Sequence, residues 1–238
     1  MDLKIIPVID IKSGKAVHAV KGERANYHPL NTELCTEGDP YALIDALRSR
    51  FPFSTIYIAD LDALMGQAPN RNLIQNLTAQ FANIRFWIDQ GFVFPDHKIA
   101  SDWPWTPVIG TESLDDSALK TQAPLCPEPA ILSLDFAASG FLGPHILLAS
   151  DEFWPQRVIV MSLVNVGAEQ GPNWELLSWF KRKWPQQYLI AAGGVRNEQD
   201  LKRLAESGFD GVLVATALHR GRIGVRLIEH LIGERRGF

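Results

Sequence analysis

At 238 residues, with 46% apolar side chains and a formal net charge of −4, the chain is long enough to bury one large core and carries no basic stripe of the kind that binds nucleic acid. Its two cysteines, Cys35 and Cys126, have neither metal-binding nor redox spacing and read as free thiols of a reducing cytosol. No run approaches 18 apolar residues and the opening MDLKIIPVID lacks a signal-peptide core, so the expectation is a cytoplasmic protein with no membrane partner.

Short apolar runs alternate with segments of helical period along the chain. Strand one, Lys4–Ile9, ends at Asp10 and runs into a long loop from Ile11 to Gly38. Asp39 caps a helix opened by Pro40, with Leu43, Ala46 and Leu47 on its apolar face. Strand two, Thr55–Ala59, ends in Asp60-Leu61-Asp62, and the helix after it carries Leu73, Ile74 and Leu77. Strand three, Arg85–Ile88, leads to Asp89-Gln90-Gly91 and then to Phe94–Ser101, a segment short for a helix. Strand four, Thr106–Ile109, ends in Gly110-Thr111, with a helix expected over Glu112–Lys120. Strand five, Ala130–Leu134, ends at Asp135, followed by a weakly patterned helix over Pro144–Phe153. Strand six, Arg157–Ser162, enters a loop through Gly171-Pro172-Asn173, and the next helix carries Leu176, Leu177 and Phe180. Strand seven, Tyr188–Ala192, ends in Gly193-Gly194. A helix capped by Asn197 and closed by Gly208 then returns to strand eight, Gly211–Ala215, which ends at Thr216. A last helix carries Val225, Leu227, Ile228 and Leu231.

Unbroken apolar strands separated by helices mark a parallel sheet covered on both faces, and eight of them predict a single (β/α)8 TIM barrel over residues 1–238. The halves resemble each other. IPVIDIKSG (Ile6–Gly14) matches ILSLDFAASG (Ile131–Gly140), and PVIGTESL (Pro107–Leu114) matches LVATALHR (Leu213–Arg220). Asp89-Gln90-Gly91 falls opposite Ala192-Gly193-Gly194. Two similar half-barrels are therefore expected.

The C-terminal strand ends of such a barrel hold the reacting groups. Asp10 and Asp135 end strands one and five on opposite sides of the mouth, where two carboxylates can divide proton donation and removal. Either one read alone is first a turn or cap carboxylate, and their matching places in the two halves reverse that for the pair. Gly193, Gly194, Ala215 and Thr216 end strands seven and eight, the recurring phosphate position of the fold, where small residues let a backbone approach an anion. Lys21 and Arg24 have two readings, anchors for an anionic substrate or a solvated loop, and His28 is either a proton shuttle or a surface residue. One of Asp60 and Asp62 is expected to face inward and the other to cap a turn, while Trp87, Trp103 and Trp105 read as packing in the outer shell. No residue set has the spacing of a metal site, and no cofactor is expected.

Ile6–Gly14, Ile58–Ala63 (IADLDA), Ile109–Thr111, Ala191–Val195 and Ala217-Leu218 resemble the histidine-biosynthesis barrels. These are the phosphoribosylformimino-5-aminoimidazole carboxamide ribotide isomerase and the cyclase subunit of imidazole glycerol phosphate synthase. The resemblance covers nearly the whole chain. It implies an Amadori rearrangement of a phosphorylated aminosugar, with Asp10 as base and Asp135 as acid, and one phosphate held in each half-barrel. Gly110-Thr111 would then keep part of the first-half phosphate cradle. Asp89-Gln90 replaces the glycines of that cradle, Met161 stands where the family has a catalytic threonine, and Val166 where it has an aspartate. Ser162 is one residue from the threonine position but points to the other face of a regular strand. Lys21, Arg24, Asp60 and Ser162 complete the expected substrate-binding set. The departures favour a smaller substrate with a single phosphate.

The expected partner is a phosphorylated small molecule, and the chain a monomer or small homo-oligomer. Two alternatives stand beside the isomerase. One is a lyase or synthase in C1-carrier cofactor biosynthesis on the same barrel, since a divergent group of the family is associated with methanogens and methylotrophs. The other is a non-catalytic phosphometabolite-binding protein.

Overall fold

The computed structural model describes residues 3–20, 23–92, 103–115 and 129–233. Its strands are β1 (Lys4–Lys12), β2 (Lys15–His18), β3 (His28–Pro29), β4 (Thr55–Asp60), β5 (Arg85–Asp89), β6 (Thr106–Gly110), β7 (Ile131–Ala137), β8 (Gly140–Leu142), β9 (Arg157–Ser162), β10 (Tyr188–Ala192) and β11 (Gly211–Val214). The helices are α1 (Pro40–Arg50), α2 (Leu61–Leu64), α3 (Arg71–Gln80), α4 (Ile146–Ala149), α5 (Trp174–Lys183), α6 (Glu198–Glu206), α7 (Thr216–His219) and α8 (Val225–Gly233). The parallel strands pair in the order β1, β4, β5, β6, β7, β9, β10, β11, and β11 pairs back onto β1 through Lys4–Gly211 to Pro7–Val214. The sheet is thus closed, and the molecule is the expected (β/α)8 barrel.

Closure sorts side chains by parity. Ile6, Tyr57, Trp87, Val108, Ile131, Ile159, Ile190 and Leu213 form one buried cluster inside the barrel. Their chain neighbours Ile5, Ile56, Phe86, Ile109, Leu132, Val158, Leu189 and Val212 belong to the cluster between barrel and helices. Trp87 is therefore an interior residue rather than shell packing, with the Lys4 ammonium 5.1 Å from its ring centre. Trp103 and Trp105 do lie in the outer layer, with the Trp103 ring tilted against both Phe92 and Trp105.

The structure departs from the expected elements in four places. The Ile11–Gly38 loop contains a hairpin, β1–β2, turned by Ser13 and Gly14 at φ 51° and 74°, the pair of positive angles that matches strand twist in a two-residue turn. The Ser13 amide donates to Asp62 at 2.6 Å and fixes that turn. A matching hairpin, β7–β8, follows strand five with Gly140 at φ 110°, so the repeat noted in sequence extends to the loops. The weakly patterned Pro144–Phe153 segment is helical only over Ile146–Ala149, where the Trp154 indole N–H donates to the Leu147 carbonyl at 3.0 Å. Of Glu112–Lys120, the described part forms a single 3-10 turn, Thr111–Ser113. Phe94–Ser101, Cys126 and Lys21 lie outside the described residues.

Parity also corrects two expected substrate contacts. Asp60 follows inward-facing Ala59 and so points outward. It is fully buried and accepts from Ala63 N, from Asn70 N and Nδ2 (2.7 Å each) and from Gln90 Nε2. Asp62 accepts from Ser13 N and Asn70 Nδ2, so both carboxylates cap and neither faces inward. Ser162 follows inward-facing Met161, is buried, and donates to Asn165 Oδ1 at 2.6 Å. Replacing Asp60 by Ala orphans Asn70 and Gln90 donors under the mouth. Asp60→Ala is expected to cost about 2–4 kcal/mol in urea unfolding, and a cost below about 1 kcal/mol contradicts the capping role.

Candidate active site

A cavity of about 520 Å³ opens at the C-terminal ends of the strands. The inward parity brings three carboxylates to it, Asp10 from β1, Asp89 from β5 and Asp135 from β7. In register, Asp10 pairs with Ala59 and Ala59 with Asp89, so these two acids share a lateral row with only a methyl between them. A Cβ on Gly110 would lie 3.1 Å from Asp135 Oδ2 and 3.5 Å from Asp89 Oδ2. The absent side chain of β6 is therefore what lets these two carboxylates converge.

Each carboxylate is held differently. Asp135 is 3% exposed; it accepts from Ser133 Oγ at 2.7 Å and from the Glu112 amide at 3.1 Å, while its own amide donates to Thr111 Oγ1 at 2.9 Å. Burial, reinforced by the nearby charge of Glu112, pushes its pKa up to about 8 against those donors. Burial also raises Asp10, to about 7, with the Arg24 guanidinium pulling the other way. Asp10 is half-buried, and no side chain or backbone donor among the described residues caps its oxygens. Asp89 accepts from Tyr57 Oη at 3.1 Å and from the Gly91 amide at 3.2 Å. Burial lifts it to about 6, the Gly91 amide opposing and the Glu112 charge adding to the rise. Arg24 reaches over the cluster and pairs with Glu112 at 2.5 Å.

The second half of the cavity is built from backbone. Gly193 and Gly194 sit at φ 97° and 89°, and a Cβ on them would fall 2.3 Å from the Ser162 carbonyl and 2.2 Å from the Gly171 carbonyl. Only glycine fits either position, so the pair is required by the turn itself. Asn197 caps α6 through the amides of Gln199 and Asp200, so those two amides already have an acceptor. Among the described residues, the amides of Gly194, Val195 and Thr216 donate to no protein acceptor, and all three residues line the cavity. Ala215 lines it too and precedes α7, whose first turn no side chain caps.

The structure thus brings together Asp10, Asp135, Arg24, Gly193, Gly194, Ala215 and Thr216. Neither Gly110 nor Thr111 lines the cavity: Gly110 lies against the Asp89 and Asp135 carboxylates, and Thr111 is fully buried with its hydroxyl spent on Asp135, so it positions that carboxyl group. Met161 and Val166 line the cavity at the places where the resemblance put a threonine and an aspartate. Exposed His28 pairs with His18 across β2–β3 and does not line the cavity. Glu112, Tyr57 and Tyr27 also line it and were missed. The parity of β4 already placed Tyr57 inward beside Ala59, whereas nothing in sequence marks the Arg24–Glu112 pair across 88 residues.

The raised carboxylates bear on stability with a definite sign. A folded-state pKa above the ordinary 3.8 means that the folded form holds its proton where the unfolded form has lost it. The stability this contributes is whole below about pH 4 and is lost as pH rises to about 7 for Asp10 and about 8 for Asp135. Asp135→Asn, which cannot ionise, is expected to raise the melting temperature by several degrees at pH 8 and much less at pH 4. An equal shift at both pH values contradicts the assignment.

Compared with known proteins, residues 4–136 and 148–224 match the family model of the histidine biosynthesis protein. An uncharacterized protein of Methanocaldococcus jannaschii is 29% identical over 235 residues, covering 98% of this chain and all of the relative. The 1-(5-phosphoribosyl)-5-((5-phosphoribosylamino)methylideneamino) imidazole-4-carboxamide isomerase of Pyrococcus furiosus is 29% identical over 233 residues, covering 94% of this chain and 92% of the relative. The enzyme of the same name from Thermus thermophilus is 27% identical over 240 residues, covering 94% and 97%. With its barrel, its strand-end carboxylates and a model match over most of its length, the chain belongs to the histidine biosynthesis protein family.

Proposed function

We propose that the protein is an isomerase that moves a proton between adjacent carbons of a singly phosphorylated sugar or aminosugar, with Asp135 as acid and Asp10 as base. The observation that carries this reading is the separation of the two carboxylates in environment. Asp135 accepts from Ser133 Oγ and the Glu112 amide, with burial and the Glu112 charge raising its pKa, while Asp10 has the Arg24 charge opposing the rise that burial causes. Two carboxylates that face one cavity from different surroundings can divide the two halves of a proton transfer. In the rearrangement this suits, Asp135 protonates the ring oxygen and opens the ring, Asp10 takes the C2 proton and returns it to C1 of the enolamine or enediol, and the C2 hydroxyl gives its proton back to Asp135 as the ketose forms. The isomerases named among the relatives support the reaction class.

The asymmetry of the cavity supports a single phosphate. The second half offers the amides of Gly194, Val195 and Thr216. In the first half, Asp89 accepts the Gly91 amide itself, so the donor that an anion needs is taken by a buried carboxylate. Met161 supplies no hydroxyl to the reacting centre.

A panel of sugar and aminosugar monophosphates, screened by melting shift and then assayed for isomerisation, identifies the substrate. With that substrate, Asp10→Asn and Asp135→Asn are each expected to lower kcat by roughly 10²–10⁴-fold, the weight of a positioned proton-transfer group. Turnover near wild type in both variants contradicts the mechanism, and tight binding with no turnover in the wild type favours the non-catalytic alternative.

A further inference from the structure

Two arginines of the second half-barrel line the cavity, Arg196 shortly after Gly193-Gly194 and Arg222, whose amide donates to the Ala217 carbonyl of α7, and they are held in different ways. Arg196 donates through Nε and Nη2 to the two oxygens of Asp200, 2.9 Å each, and the Asp200 side chain is only 5% exposed. That guanidinium is locked in a fork onto a buried carboxylate. Arg222 instead donates from Nη2 to Glu169 Oε1 at 3.3 Å, with both side chains open to solvent, 39% and 42% exposed. Arg220 reaches the same Glu169 oxygen, but Arg220 does not line the cavity, whereas Arg222 and Glu169 both do. Glu169 lies on the loop between β9 and α5, which crosses the mouth; a Cβ on its Gly167 would fall 2.0 Å from the Ala19 carbonyl, in the loop that follows β2.

We propose that Arg222 is an anion ligand of this cavity held in reserve by Glu169, so that an arriving phosphoryl group takes the Arg222 guanidinium from the Glu169 carboxylate. The inference rests on the phosphate reading of the second half-barrel. An ion pair between solvated side chains holds weakly, because water competes for both partners. A phosphoryl group resting on the neighbouring amides brings more charge and several acceptor oxygens to the same guanidinium. The exchange leaves no charge stranded, since Glu169 keeps Arg220. It forms and breaks no covalent bond. Glu169 acts as an internal stand-in for the ligand's anion and sets how tightly a phosphate must bind to displace it.

The test measures the Kd of inorganic phosphate by calorimetry for the wild type, E169Q, R222Q, R220Q and the double variant E169Q/R222Q. All three positions are exposed, so folding is preserved. E169Q is expected to tighten binding roughly two- to five-fold, the range of an exposed pair. R222Q is expected to weaken it roughly ten-fold or more, as for loss of a charged hydrogen bond, and R220Q to stay within about two-fold of wild type. E169Q should bring no gain when Arg222 is absent. A gain from E169Q that persists in the R222Q background overturns the exchange and leaves only charge acting at a distance. Equal losses from R220Q and R222Q, or no change in E169Q while wild type binds phosphate, also overturn it, with the phosphate site left standing. Absence of phosphate binding in every variant and the wild type removes the phosphate site itself and the exchange with it.

Discussion

A parallel sheet closed on itself gives every second side chain nowhere to go but the barrel interior. That constraint places the chemistry of this protein. Ile6, Val8 and Asp10 climb one strand on the inward side; Tyr57 and Ala59, Trp87 and Asp89, and Ile131, Ser133 and Asp135 climb others. Apolar residues fill the lower rows and carboxylates take the top row, where the packed core gives way to the cavity. Outward parity sends Asp60 and Ser162 to caps and turns, one residue from the site in sequence and on the wrong side of the wall.

The same placement has an energetic cost. Three carboxylates on low-dielectric walls all have pKa values pushed upward by burial. The fold tolerates them because each has a different compensation: donors from Ser133 and Glu112 on Asp135, Tyr57 and Gly91 on Asp89, and the Arg24 charge near Asp10. Those differences are what the proposed division into acid and base rests on. A uniformly solvated or uniformly capped set would titrate together and could not divide a proton transfer.

How far this was legible in the sequence depends on whether the signal was periodic or local. The eight barrel strands, the Asn197 and Asp39 caps and the inward Asp10 and Asp135 follow from period and from residue type at strand ends. The hairpins β1–β2 and β7–β8 were hidden because their signal is a tight turn, Ser13-Gly14 in one case, followed by return strands of only four and three residues, too short to read as separate strands. Asp89 was visible as an anomaly where glycine was expected, but its consequence was not. Only the structure shows it taking the Gly91 amide and bonding Tyr57. Thr111 read as a phosphate contact because it ends a strand; it is instead turned under Asp135. Long-range pairs such as Arg24 with Glu112 leave no trace in spacing.

The central claim is that one half of the barrel mouth grips an anion through backbone while the other has filled its own cradle with a carboxylate. The most direct measurement is a crystal structure of the protein grown with inorganic phosphate at neutral pH. The account predicts a phosphate within hydrogen-bond distance of the Gly194 and Thr216 amides and none between Gly91 and Gly110. A phosphate bound beside Asp89, or an unfilled site at Gly194 with anions ordered elsewhere in the mouth, contradicts it.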